Sequence, residues 1–266
     1  MARRTAVINN RGGVGKSDVA LRLAAALAKR GRRVGLIDFD PQGNLSRRAG
    51  WVYNPNQRQI TVSEAVQADR VGALAQVWTP VRWNVEYASR MVLAPAWLEL
   101  ENRYSEAGLV GAHLRLAKAL HGSDDDLDDV IIDCPPSLFH LTQMAFAASD
   151  GALLVTRAEI DAILGARRVR EFIGDKKEAL HADDLTIDGV IINDYDQGRP
   201  RQRQQLKSAR RMFGNLVWDP VIAHREVIAN ASNDHVPLEQ ANGSQVNQAV
   251  AAFELLADTY QKRTAA

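Results

Sequence analysis

Residues 8–20, INNRGGVGKSDVA, set three glycines and a Gly-Lys-Ser triplet between a short apolar run ending at Ile8 and an alanine-rich stretch beginning at Val19. A strand that turns through glycines directly into a helix leaves the first N–H groups of that helix unpaired and clustered at its positive end. Such a loop cradles phosphate oxygens, and it fixes a strand on one side of itself and a helix on the other. Of the general pattern Gly-x-x-x-x-Gly-Lys-Ser/Thr, residues Gly15, Lys16 and Ser17 supply the end, while Asn10 stands where the first glycine would be.

The rest of the chain repeats that strand-then-helix alternation. Runs rich in valine and isoleucine recur at 6–8, 34–37, 91–93, 130–132, 152–155, 189–192 and 221–222. Continuous apolar runs predict strands covered on both faces. Helical stripes separate them: Val19, Leu23 and Leu27; Leu138, Leu141 and Ala145; Val246, Val250, Phe253 and Ala257. The alternation predicts an α/β fold, a mostly parallel central sheet flanked by helices on both faces, as a single domain over 1–266; with the Gly-Lys-Ser loop after its first strand, such a fold resembles that of P-loop NTPases (P-loop NTPase-like). A hydrophobic share of 46% with 24% charged residues is enough to fill its core. The least regular stretch, 45–122, carries Trp51, Trp78, Trp83 and Trp97, read as packing residues because aromatics chiefly supply buried area.

No run approaches the roughly 18 to 20 apolar residues of a membrane span, and a cytoplasmic protein is expected. Cys134 is the one cysteine, which excludes an internal disulfide and a Cys-x-x-Cys metal site within the chain. The net charge of +1 is unevenly spread. Residues 196–211 hold five arginines and one lysine against one aspartate, a local +5 that leaves −4 elsewhere. Within that stretch Leu206, Ala209 and Phe213 share one helical face, while Arg203, Lys207, Arg210 and Arg211 mark another.

The glycine loop with Arg11 before Gly12-Gly13 resembles the deviant Walker A loop of the ParA family of partition ATPases, Lys-Gly-Gly-x-Gly-Lys-Ser/Thr. The resemblance runs on in the family's order through LIDFDPQGNLS (36–46), VLAPAWLELE (92–101), DVIIDCPPSL (129–138) and DPVIAHREVIANASNDHVPL (219–238). It implies ATP and Mg²⁺ as ligands. Gly12, Gly13, Val14, Gly15, Lys16, Ser17 and Asp18 would form the phosphate loop, with Lys16 neutralising the β- and γ-phosphates. Ser17 would ligate Mg²⁺ directly and Asp133 through a water, as suits a small hard cation. Asp40 is the residue implied to orient the attacking water, with Asp38 closing the strand before it. Hydrolysis of this kind works by positioning and charge neutralisation.

Two departures from the family pattern stand in the loop itself. The family's lysine before Gly-Gly, held to reach the partner's phosphates across a nucleotide-sandwich dimer, is Arg11, which keeps the charge in a planar fork. The residue after Lys-Ser, usually Thr or Ser, is Asp18; it adds negative charge beside the phosphates, yet also suits the helix dipole. In the base-recognition segment, Ala223, His224 and Arg225 follow Ile222 where the family commonly has Pro-Arg-Asn, and adenine contacts are carried over to them.

The resemblance implies an ATP-dependent DNA partition protein: an ATP-bound homodimer, non-specific DNA, and a centromere-binding, ParB-like partner that stimulates hydrolysis, nucleoid-associated in the cell. The basic residues Arg199, Arg201, Arg203, Lys207, Arg210 and Arg211 suit sequence-independent phosphate contacts. A catalytically weak nucleotide switch of the same fold is the alternative that Arg11 and Asp18 motivate. A MinD-like membrane-positioning ATPase fits less well, because the ending QKRTAA lacks large apolar residues. An iron–sulfur reductase of this superfamily would need two cysteines per subunit.

Overall fold

The computed structural model describes residues 1–264, so the last two residues of the QKRTAA ending lie outside it. The described residues form one seven-stranded sheet: β1 (Arg3–Ile8), β2 (Val34–Asp38), β3 (Thr79–Pro80), β4 (Met91–Ala94), β5 (Asp129–Asp133), β6 (Gly151–Thr156) and β7 (Thr186–Ile192). Their spatial order is β3-β4-β2-β5-β1-β6-β7, and every pairing is parallel except β3 with β4. The helices are α1 (Lys16–Lys29), α2 (Asn44–Arg48), α3 (Val62–Gln67), α4 (Arg115–Leu120), α5 (His140–Ala147), α6 (Ile160–Lys176), α7 (Pro200–Phe213), α8 (Glu226–Asn233) and α9 (Val246–Thr264).

Alternate residues of the central strands enter two separate cores, as burial on both faces requires. Ala6, Ile8 and Ile132 pack with residues of α3 to α7, whereas Val7, Ile131 and Leu153 pack with α1, α8 and α9. Helix α1 is alanine-rich, and its buried alanines pack with Val19, Leu23 and Leu27 into the second core, against β2, β5 and α9. Tyr260 of α9 is fully buried, and its hydroxyl reaches Thr5 Oγ1 at 2.9 Å and Asp129 Oδ1 at 3.3 Å, fastening the C-terminal helix under the sheet.

Charges at the N-terminal edge of the sheet are matched in pairs. Arg4 forks onto Asp124 with contacts of 2.8 and 3.0 Å, Arg3 meets Asp188 at 2.9 Å, and Arg32 pairs with Asp129. The acidic run at 124–129 is thus largely architectural.

Three details differ from the sequence expectations. Residues 221–222 form no sheet strand: Trp218 N–H donates to Val190 O and Ile222 N–H to Ile192 O, but Pro220 between them has no N–H to continue a ladder. The short antiparallel β3 has no counterpart among the expected strands, because two residues carry no periodicity. Leu138 precedes α5 rather than belonging to it, since Pro135-Pro136 holds the chain extended before the helix can start. The tryptophans behave as expected: Trp51 and Trp83 are buried, Trp97 stacks on Tyr53 at 4.6 Å, and Trp78 Nε1 donates to Ser123 O.

Candidate functional site

Strands β2, β5, β1, β6 and β7 all end on the same edge of the sheet, and the chain reverses its lateral direction beside β1. An open parallel sheet binds ligands in the crevice at that reversal. A cleft of about 550 Å³ lies there, lined by the glycine loop, the segment after β2, and residues following β5, β6 and β7.

The loop is built by backbone geometry. Asn9, buried at the end of β1, donates from Nδ2 to Val155 O (2.8 Å) and Ala162 O (3.0 Å), anchoring the loop to β6 and α6. Gly15 caps α1 at φ 90°, in the left-handed region, and a Cβ there would collide with Asn193 Nδ2. That Nδ2 donates to Val14 O at 2.9 Å, so one asparagine from the end of β7 fixes the loop's last turn. Gly12, Gly13, Gly15, Lys16, Ser17 and Asp18 line the cleft. Val14 does not: its side chain is buried in the core with α1, leaving only its backbone to the loop.

Asp133 and Asp38 end β5 and β2 as paired neighbours, both fully buried. They differ in what they touch. Asp38 Oδ2 accepts from Ser46 N–H (2.8 Å) and Ser46 Oγ (2.7 Å), and Ser46 Oγ in turn accepts from Ala96 N–H at 3.0 Å. Asp38 therefore tethers the loop that carries Asp40. Neither oxygen of Asp133 has a hydrogen-bond partner among the described residues. Burial, then the neighbouring Asp38 charge, pushes the Asp133 carboxyl well above the usual range, while Lys16 and the Ser17 hydroxyl pull it back. The buried Asp133 carboxylate and the nearby Ser17 hydroxyl are oxygen donors of the kind that suits Mg²⁺, with the Lys16 ammonium alongside as a fixed positive charge. A divalent cation there would invert the local balance and favour the ionised form.

Asp40 lines the cleft opposite, half-buried, with Oδ1 accepting from Gln42 N–H at 3.0 Å. Ala223, His224 and Arg225 also line the cleft. The Arg225 guanidinium, however, is engaged by Gln245 (2.5 Å) and Gln248 (2.8 Å) of the α9 start, so its head is turned to the protein. His224 Nδ1 contacts Asp194 Oδ1 at 2.5 Å, and Arg157 grips the other oxygen of Asp194 at 2.5 Å. Arg11 is exposed and does not line the cleft; its Cβ packs against Gly165 of α6.

The basic residues lie apart from the cleft, on α7 and just before it. Gln202, Ala209 and Phe213 are buried, and Arg199, Arg201, Arg203, Lys207, Arg210 and Arg211 are exposed, as the helical spacing requires. Arg199 pairs with Asp196 at 3.0 Å and Arg210 with Asp219 at 2.7 Å.

Several lining residues have no counterpart in the sequence reading: Arg48, Arg157, Asn193 and Asp194. A signal for three of them was present. Arg157, Asn193 and Asp194 immediately follow the apolar runs that became β6 and β7, where a parallel sheet presents its ligand-facing residues. Arg48 had none, because it reaches the cleft only through the packing of α2.

Residues 2–187 match the protein family described as AAA domain. The chain is 32% identical over 239 residues to the chromosome partitioning protein ParA of Caulobacter vibrioides, covering 89% of this chain and 86% of that one. It is 34% identical over 230 residues to the chromosome-partitioning ATPase Soj of Thermus thermophilus, covering 86% and 84%. Among solved structures, cobyrinic acid a,c-diamide synthase from Mycobacterium smegmatis with bound ADP and magnesium superposes with a TM-score of 0.80 at 26% identity, over 100% of this chain and 97% of that one.

Proposed function

The chain belongs to the ParA family of partition ATPases, and from that premise we propose that it is an Mg²⁺-dependent ATPase whose triphosphate-bound homodimer binds DNA without sequence preference and is stimulated by a ParB-like, centromere-binding partner. The observation that carries the nucleotide part is the orphaned Asp133 carboxylate beside Lys16 and Ser17 at the mouth of a glycine loop. Similarity to proteins named for chromosome partitioning supports the rest. Such a protein would work in the cytoplasm on the nucleoid.

In this reading the loop N–H groups and the α1 terminus bind the phosphates, and Lys16 supplies a fixed positive charge where the transferred phosphoryl gains charge in the transition state. Ser17 and Asp133 would hold Mg²⁺, which when bound neutralises the phosphate oxygens. Asp40, on a loop held in place through Asp38 and Ser46, orients the attacking water and accepts its proton. Arg11, exposed and absent from the lining of its own cleft, would reach the phosphates of a second subunit.

DNA contact is assigned to α7. Helix spacing puts Arg203, Lys207 and Arg211 on one stripe, and no ion pair of Arg201, Lys207 or Arg211 is found among the described residues. In filter binding with a slowly hydrolysed ATP analogue, log affinity should fall linearly with log salt. Lys207→Ala with Arg211→Ala should lower that slope by about 0.9 for each phosphate contact removed. Equal DNA binding without nucleotide, or an unchanged slope in the double variant, would count against the assignment.

A further inference from the structure

An acidic residue two places beyond Lys16 puts a negative charge where phosphates are to be bound, yet the cleft around it is not negative. Asp18 Oδ2 lies 3.3 Å from Arg48 Nη1, and its Oδ1 accepts the Ser232 hydroxyl. The buried Arg22 guanidinium approaches the same hydroxyl at 3.4 Å and lies within the field of Asp18. Asp18 is therefore flanked by two guanidinium groups from α1 and α2 and a hydroxyl from α8, while Lys16 stands two residues before it at the start of α1.

Of the two arginines beside Asp18, Arg48 is the one that belongs to the cleft wall. It lines the cleft together with Lys16, Ser17 and Asp18. A guanidinium carries five N–H donors in a planar fork, and the pairing with Asp18 is the one side-chain contact found for Arg48 among the described residues. The fork geometry suits a phosphate, and an ion pair on one side restricts its rotamers on the other.

We propose that Arg48 is a further nucleotide-binding residue of this cleft, donating to a phosphate common to ADP and ATP, and that Asp18 is the positioning residue that aims it. The inference rests on the nucleotide-binding reading above. It also gives Asp18 a role that a bare carboxylate beside phosphates could not have. Because α2 begins directly after the loop bearing Asp40, the contact ties that loop to the occupied cleft.

Calorimetric titration of the full chain with Mg-ADP and with a slowly hydrolysed Mg-ATP analogue tests this. Arg48→Ala should weaken both nucleotides alike, by about tenfold, as loss of a charge-assisted hydrogen bond implies. Asp18→Ala should weaken both several-fold although it removes a negative charge, and Asp18→Asn, which keeps an acceptor for Arg48, should retain most of the affinity. The nucleotide-free melting temperature of Arg48→Ala should stay near that of the parent, whereas Asp18→Ala, which takes a counter-charge from the buried Arg22, should lower it; affinities are therefore compared well below the melting temperature of each variant. Unchanged affinity in Arg48→Ala overturns the proposal, as does equal or tighter binding in Asp18→Ala, which would make Arg48 only a counter-charge. If the parent protein binds neither nucleotide, the nucleotide reading itself fails; if it binds both and Lys16→Ala does not, that reading stands and only the assignment of Arg48 is judged.

Discussion

Replacing Lys16 with Ala is expected to lower affinity for Mg-ATP by about a hundredfold or more, since it removes a charge-assisted phosphate contact from a largely desolvated position. Lys16 is buried, so its ammonium has little water to lose when a phosphate arrives, and its charge is felt at full strength within the cleft. The same replacement deletes the cation that draws Asp133 toward its ionised form. Both effects act in one direction: fewer positive charges for the phosphates, and a carboxylate more inclined to hold a proton. Fluorescent-nucleotide titration of the parent and Lys16→Ala measures the loss. Affinities within a factor of about three would remove the lysine from the phosphate site, because a gap that small is under 1 kcal/mol.

The second large effect separates binding from turnover. Asp40→Ala should leave Mg-ATP affinity within a few-fold of the parent and lower the steady-state hydrolysis rate by about 10² to 10⁴, the range for a positioned group that accepts a proton from the nucleophile. The separation follows from the geometry. Asp40 lines the cleft and accepts a backbone N–H from Gln42, but the fold-bearing contacts of its loop belong to Asp38 through Ser46. Removing the Asp40 carboxylate should leave the loop in place, whereas Ser46→Ala would loosen it and disturb binding and turnover together. A turnover number unchanged in Asp40→Ala would assign the water to another group; a parent with no turnover to lose, even with DNA and partner, would favour the nucleotide-switch alternative.

The parts of this protein that could be read from its sequence are those in which local pattern and tertiary role coincide. A strand buried on both faces must be apolar throughout, so six of the seven strands announced themselves, and the Gly15-Lys16-Ser17 turn fixed the site at the end of the first. The facing of α7 followed from spacing, since Ala209 and Phe213 are buried, Leu206 is partly buried against the core, and Arg203, Lys207, Arg210 and Arg211 are outward; the buried Gln202 carried no apolar signal. Legibility ended where a role depends on what the chain brings from far away. Asp38 and Asp133 look alike as aspartates closing apolar runs; the distinction lies in Ser46, which satisfies the one and leaves the other without a partner. Asp18 read as a liability because Arg48 and Ser232, 30 and 214 residues further along, could not be placed beside it. The engagement of Arg225 by Gln245 and Gln248 was equally out of reach, because it is purely tertiary.

Occupation of this cleft by a triphosphate is expected to drive pairing of two subunits, which light scattering on a size-exclusion column reads as a change of mass. The parent should elute with the mass of one 29.3 kDa chain with ADP and of two with a slowly hydrolysed ATP analogue and Mg²⁺, while Lys16→Ala should remain a single chain in both. A mass that is the same with ADP and with the ATP analogue, or a Lys16→Ala protein that pairs as the parent does, would contradict it.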